Sequence, residues 1–478
     1  MKFSSSSSSC AGLLSTFLLG TTAVQALEIQ IGDDASIKKA AKTVAEELMG
    51  YYSGDQPGDT PGNLPEPYYW WEAGAMFGAI IDYWVYTDDD QFNDAVMQGM
   101  MHQAAPSADF MPQNQTRTEG NDDQAFWAIA ALQAAERKFP NPPEDQPQWL
   151  ALAQAVFNQQ AGRWWPDTCG GGMKWQIFDY MNGYEYKNTI SNACFFDLGA
   201  RLARYTGNET YAEHAEKSWN WMQDIGLITD QYHFYDGTND DINCTEFDRM
   251  QWTYNAGIAL HGAAHMYNFV RSHHPPNFMN FTNLSQTEGD ETWKARVQGI
   301  VDGLSFFYTN KENPDVMVET SCENARTCET DQKSFKAYLT RWMASATQVA
   351  PFITDQIMPK LEASAMAAAQ QCSGGETGQS CGMRWQDGPK WDGTTGVGEQ
   401  MAALEAIQSL LIGNIGPPLT TKTGATSEGD ANAGSEPDNA FYPDWKPITT
   451  ADKAGAGILT TLLLGGMLAG SAWLVWER

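Results

Sequence analysis

Apolar residues recur at helical spacing through most of this chain, in twelve segments joined alternately by short turns and long loops. The segments are roughly 36–51, 68–86, 91–103, 121–138, 149–164, 188–206, 209–225, 252–269, 291–308, 331–349, 351–371 and 397–412. Several open on side chains that satisfy free backbone N–H groups: Asp34 and Ser36, Asn121 and Asp122, and Asn208 before Glu209. No series of evenly spaced alternating strands interrupts them. Only Trp175–Phe178 and Tyr232–Tyr235 read as short hairpin strands. No solenoid repeat is present. The pattern specifies an all-α single domain. The alternation of connection lengths predicts that it closes into an (α/α)6 barrel, with the long loops gathered at one mouth.

The two ends break the helical pattern. Met1-Lys2-Phe3, a serine run and the apolar stretch Ala11–Val24 end on Val24-Gln25-Ala26. Residues 1–26 therefore read as a signal peptide. At the other end, residues 413–452 are rich in Gly, Thr, Ser and Pro without an apolar period, which predicts a flexible stalk. Residues 453–478 carry a hydrophobic tail that follows small residues and a short spacer. That is the layout of a GPI-attachment signal, with the attachment residue among Thr449–Asp452. The alternative is a single-pass helix, for which only Glu477 and Arg478 would remain as a cytoplasmic anchor. The catalytic body is expected over 27–412, on the outer face of the plasma membrane or in a cell wall, held to the membrane by lipid alone.

Charge narrows the partners. A net charge of -30 excludes nucleic acid and an anionic bilayer surface and favours a neutral or cationic ligand. Many of the 18 tryptophans must be core, but so many can also line a groove in which sugar rings stack. Cysteines agree with secretion. Cys10 leaves with the leader; Cys322/Cys328 and Cys372/Cys381 would each close a small loop, and Cys169/Cys244 is the third pair. Cys194, in the run Ala193–Phe196, is left as a buried thiol. Glycosylation sequons stand at Asn114, Asn208, Asn243, Asn280 and Asn283.

Candidate chemistry begins at Glu119-Gly120-Asn121-Asp122-Asp123, where two adjacent carboxylates start a helix that continues Phe126-Trp127. They can be a helix cap. They can equally be a glycosidase pair: free N–H groups keep one carboxylate ionised as a nucleophile, and an apolar wall keeps the other protonated as an acid. A second motif runs Cys169-Gly-Gly-Gly-Met-Lys-Trp175, then Asn182, Lys187-Asn188 and Asn192, offering a flexible backbone, a stacking ring and amides for sugar hydroxyls. A third is Trp252-Thr253-Tyr254-Asn255. His261 and His265 stand four apart, but Gly262 replaces the Glu of a zinc motif, so no metal and no cofactor is expected. Asp236–Asp241 reads as a solvated turn rather than a Ca²⁺ loop.

Taken in order, Asp122-Asp123 before an aromatic-Ala-x-Ala helix, Gly-Gly-Gly-x-x-Trp175, Lys187-Asn188-x-x-Ser191-Asn192 and Thr253-Tyr254-Asn255 resemble glycoside hydrolase family 76, the α-1,6-mannanases. Cys322, Cys328, Asp331–Lys336 and Arg341-Trp342 resemble its fungal, GPI-anchored wall branch. The likeness implies an (α/α)6 fold and a retaining mechanism. Asp122 matches the nucleophile and Asp123 the general acid/base; the motifs place Trp127, Trp175, Asn182, Asn188, Asn192, Tyr254 and Asn255 on the substrate. Phe126-Trp127 departs from the Trp-Trp usual in bacterial members. The family implies two activities, transfer of a GPI-core mannoside donor to β-glucan or endo-hydrolysis of α-1,6-mannan; a mannan-binding wall protein without turnover is the competing reading.

Overall fold

Helices buried all round and helices buried on one face alternate along the chain, and that alternation builds a double ring. The computed structural model describes residues 26–104, 106–115, 118–273, 290–435 and 460–467. Most of the leader with Cys10, the sequons at Asn280 and Asn283, the later stalk and most of the C-terminal signal lie outside the described residues. Twelve α-helices build the body among the described residues: α1 (Asp34–Met49), α2 (Trp70–Thr87), α3 (Asn93–Ala104), α4 (Asn121–Arg137), α5 (Trp149–Gly162), α6 (Thr189–Thr206), α7 (Glu209–Ile225), α8 (Thr253–His273), α9 (Asp290–Gly303), α10 (Phe335–Val349), α11 (Thr354–Gln371) and α12 (Val397–Gln408); residues 460–467 are helical as well.

In α4 and α6 nearly every residue is buried, whereas α7 buries one stripe, Tyr211, Ala212, Ala215, Trp219 and Met222. The even-numbered helices pack on one another in the order α2, α4, α6, α8, α10, α12 and back to α2; each odd-numbered helix lies outside, against its neighbours. This is an (α/α)6 barrel, a single domain as expected. Close approach needs glycine. A Cβ on Gly257 would lie 2.8 Å from the Leu339 backbone of α10, and one on Gly262 2.5 Å from the Phe196 ring of α6.

The inner helices run parallel, since each outer helix carries the chain back, so all six begin at one mouth and end at the other. Ion pairs lie buried between them. Arg201 meets Glu136 at 2.7 Å and Asp197 at 3.3 Å; Arg341 meets Glu405 at 2.7 Å and Asp82 at 3.4 Å. His261 is committed to this belt, through Asp197 (2.8 Å) and Ser345 (3.0 Å). His265 has no partner, and burial drives it towards the neutral form.

Strands are few. β1 (Tyr186–Asn188), β2 (Gly237–Asn239) and β3 (Phe247–Asp248) form an antiparallel sheet, with Lys187 opposite Thr238 and Thr238 opposite Phe247. β4 (Cys372–Gly374) pairs with β5 (Ser380–Cys381). The stretches expected as hairpins contribute only isolated bridges, Gly120 with Gln176 and Ile228 with Phe234. The pairing shifts because the buried Lys187 ammonium donates to the carbonyls of Trp165, Thr168 and Gly171 and pins β1 beneath that loop. Disulfides join Cys169–Cys244, Cys322–Cys328 and Cys372–Cys381, and Cys194 is a buried thiol.

The segment after the last helix also differs from its sequence expectation. Residues 413–435, expected as free stalk, lie against the body. Gln348 donates to the carbonyls of Ile415 and Gly416 (both 3.0 Å), Leu419 N–H to Glu136 O (2.8 Å) and Thr421 N–H to Tyr205 O (3.1 Å). The strap then climbs α5: Ser427 Oγ accepts from Leu150 N–H, and Asn158 donates to Ala431 and Ala433. It stays because it satisfies carbonyls that end the inner helices. Among the described residues no helix is long and apolar enough to cross a membrane.

Candidate active site

The entrance of α4 is fixed from three sides before any chemistry is considered. Asn121 donates its N–H to Trp175 O (2.8 Å) and its amide to Lys174 O (2.9 Å). Gln160 donates to Asn121 O (2.7 Å) and Arg163 to Asn121 Oδ1 (3.0 Å). The two residues that follow inherit this rigidity. Asp123 Oδ2 accepts from Gly120 N–H (2.7 Å), so it caps the helix while lining a cleft. Asp122 Oδ1 accepts from Asp123 N–H (3.0 Å), and its Oδ2 from the amide of Asn188 (3.3 Å). Asn188 is itself held by Ser191 N–H, which it caps at the start of α6 (3.2 Å). The cap reading thus holds, and the same geometry sets both carboxylates at one cleft.

The pair lines a cavity of ≈ 350 Å³ at the mouth where the inner helices begin. Trp71, Phe126, Tyr254 and Phe335 line it with rings; Tyr254 and Phe335 stack at 3.9 Å and 8°. Trp175, Tyr186 and Asn188 also line it. Three further carboxylates complete the lining, Asp236, Asp248 and Asp331. Tyr186 donates to Asp236 (2.6 Å), and Gln332 N–H to Asp331 (2.9 Å).

Burial raises the Asp122 carboxyl to about 6, opposed by the Asn188 amide and backbone N–H groups. Asp123 is pushed well above the ordinary carboxylate range by burial and then by the charge of Asp122. One carboxylate therefore ionises before its neighbour. Asp236 is raised to about 6 by burial, opposed by Tyr186, and Asp331 is raised by burial. Behind the pair, Glu119 is 1% exposed with neither oxygen partnered, and burial holds it well above the usual range.

Of the residues singled out from the sequence, Asp122, Asp123, Trp175, Asn188 and Tyr254 converge on the cleft. The other four do not line it. Trp127 is core, stacked between Trp70 (5.1 Å) and Phe110 (5.6 Å). Asn192 spends its amide on both backbone groups of Met173 and on Asn188 O, and so fastens the Gly-rich loop. Asn255 is fully buried with its amide unpartnered, and Asn182 is exposed on the loop outside. Sequence reasoning missed Trp71, Tyr186, Asp236 and Asp248. Asp236 stood in an acidic run read as a solvated turn; Asp248 carries no signal that distinguishes it from other loop carboxylates. Asn114, Asn208 and Asn243 are exposed; Asn208 caps Thr210 N–H and Asn243 accepts from Cys169 N–H. Among the described residues no group of three or more His, Cys, Asp and Glu is placed to hold a metal ion.

Comparison with known proteins gives concordant matches. The profile of glycosyl hydrolase family 76 matches residues 36–422. Mannan endo-1,6-alpha-mannosidase DCW1 of Candida glabrata is 44% identical over 462 residues, 96% of this chain and 98% of that protein. The crystal structure of Dfg5 from Chaetomium thermophilum in complex with glucosamine has TM-score 0.78 at 46% identity, covering 86% of this chain and 98% of its own. The GH76A alpha-1,6-mannanase of Salegentibacter sp. HEL1_6 shares the fold, with TM-score 0.59 at 16% identity and 78% and 98% coverage.

Proposed function

The chain belongs to glycosyl hydrolase family 76, and from that premise we propose that it cleaves α-1,6-mannose linkages by a retaining mechanism and hands the mannoside of a GPI-core donor to β-glucan. The observation that supports the reading is geometric: Asp122 and Asp123, two adjacent carboxyls, line one cleft, the first held by the Asn188 amide and the second by Gly120 N–H. Near neutral pH Asp122 is ionised and faces the anomeric carbon as nucleophile. Asp123 keeps its proton and gives it to the departing glycosidic oxygen. The bond from the anomeric carbon to that oxygen breaks as the bond to Asp122 forms. Asp123, now a carboxylate, takes a proton from the incoming hydroxyl, which displaces Asp122 and restores both groups. Asn188 holds Asp122 in place throughout.

The lining favours a donor with a free amine. Among the described residues five carboxylates and no Lys or Arg line the cavity, and the Chaetomium relative is solved with an amino sugar. A GPI glycan presents such a group close to mannose. The chain would meet that donor on the outer face of the plasma membrane or in the wall, through the leader and GPI signal read from its ends.

The test incubates the ectodomain with a synthetic GPI-core mannoside and a β-glucan oligosaccharide and reads the products by mass spectrometry. A donor–acceptor adduct, absent with Asp122→Asn and Asp123→Asn, is expected. Hydrolysed donor alone would make the protein an endo-mannanase, and donor binding without turnover a mannan-binding wall protein.

A further inference from the structure

A retaining glycosidase becomes a transferase only if a sugar hydroxyl reaches the intermediate before water does, so something must hold the acceptor. The cavity is at the low end of the range for small-ligand clefts, and a polysaccharide would have to lie across its mouth. The loop of residues 176–185 stands there. It runs from Gln176, bridged to Gly120, to Tyr186 at the start of β1, so both its ends abut the catalytic pair or the cleft wall.

Successive turns stiffen it: Met181 N–H bonds Phe178 O (3.1 Å), Tyr184 N–H bonds Met181 O (3.2 Å) and Tyr186 N–H bonds Gly183 O (3.0 Å). Gly183, at φ 88°, lies flat on Trp175; a Cβ there would come within 2.6 Å of the ring. Lys174 sits 4.0 Å over the Tyr184 ring and pairs with Asp240 at 2.8 Å. On this fixed loop the Tyr180 ring is 61% exposed. It stacks on Phe178 at 5.5 Å and 13°, making a near-parallel double plate. A stack that served only the loop would gain more by burying Tyr180. The loop exposes Asn182 two residues on, together with the carboxylates Asp179 and Glu185, and contains no Lys or Arg.

We propose that the Phe178–Tyr180 plate is an acceptor subsite, on which a neutral hexopyranose chain lies as it delivers its hydroxyl to the cleft. The ring face takes the C–H face of one sugar, the amide of Asn182 serves its hydroxyls, and Asp179 and Glu185 turn acidic glycans away. The inference deepens the transfer reading above and rests on it for its catalytic consequence, though not for binding itself.

The binding arm uses the Asp122→Asn protein, which cannot turn over, titrated with a linear β-1,3-glucan hexasaccharide and followed by NMR or calorimetry. Adding Tyr180→Ala should weaken binding about fivefold to tenfold, while Tyr180→Phe, which keeps the ring, restores it. The activity arm measures the ratio of transfer to hydrolysis products within one reaction, and Tyr180→Ala should lower it by a similar factor. Equal affinity with and without the Tyr180 ring overturns the proposal, whatever the products show. Ring-dependent glucan binding with hydrolysis as the sole outcome upholds the subsite and sinks the transfer reading. A transfer ratio and an affinity both unmoved by Tyr180→Ala do the reverse.

Discussion

At one mouth of the barrel the six inner helices begin, and at the other they end. The first mouth holds the carboxylates Asp122, Asp123, Asp236, Asp248 and Asp331, loops tied by Cys169–Cys244 and Cys322–Cys328, and an open cleft. The second holds Arg137, which donates to Gly416 O and Gln348, and Arg204, and it is covered by the strap of residues 413–435. Helix polarity explains the division. Free N–H groups at helix starts receive carboxylates, and free carbonyls at helix ends receive cations and the N–H groups of a passing chain. The same scaffold therefore offers a reactive end and a sealed one, and the difference lies in backbone direction more than in composition.

The strongest way to break that comparison is to neutralise the reactive end. Asp122→Asn should lower turnover by more than about 10⁴-fold, because a covalent mechanism has no substitute nucleophile. Asp123→Asn should cost about 10²–10⁴-fold, the usual range for a general acid. Steady-state kinetics on a synthetic mannoside measures both, and an unchanged melting temperature separates chemistry from folding. Activity in Asp122→Asn within tenfold of the parent would remove the two-carboxylate mechanism.

The belt between the mouths should respond in the opposite sense. Arg201→Met leaves Glu136 and Asp197 buried without their cation and should cost about 3–5 kcal/mol in denaturant unfolding. Gly183→Ala should cost about 1–3 kcal/mol, since its backbone angle and the Trp175 ring both exclude a methyl group, and it should raise the donor KM as Trp175 is displaced.

The smallest effect sharpens the contrast by pH. Glu72 and Glu319 are raised by burial to about 8, and Asp122 and Asp236 to about 6, all above ordinary carboxylates. Folding thus tightens their hold on protons. The stability they contribute is present at low pH and is lost as pH rises through about 6 and then about 8. The melting temperature should fall by a few degrees between pH values of about 5 and 8. A rise over that interval would mean that carboxylates with depressed affinity dominate instead.

Much of this was readable in advance. The segment 209–225 coincides with α7 because caps and period agree there, and 397–412 continues past α12 into the 3-10 turn Ser409–Asn414. The cleft position of Asp122 and Asp123 is legible because they mark a helix start, and the inner helices start at the open mouth. Trp127 misleads, because it packs into the barrel wall against Trp70, Phe77 and Phe110 while Phe126, one residue earlier, lines the cleft. Adjacent positions on a helix face about 100° apart, and the sequence does not say which one meets the ligand. Asp236 and Asp248 enter the site through loops and short strands, where no period marks a direction. The strap was read as stalk because its composition is that of a linker, yet its anchoring uses backbone groups, to which composition is blind.

The strap decides how the protein meets a protease. A protease cutting just after residue 435 would leave every described contact of the strap on the side of the barrel. A cut ahead of residue 416 would uncork the barrel, leaving the carbonyls of Glu136 and Tyr205 without the N–H groups that cover them. A tolerated cut and a destructive one would then differ by some twenty residues of the same unremarkable sequence.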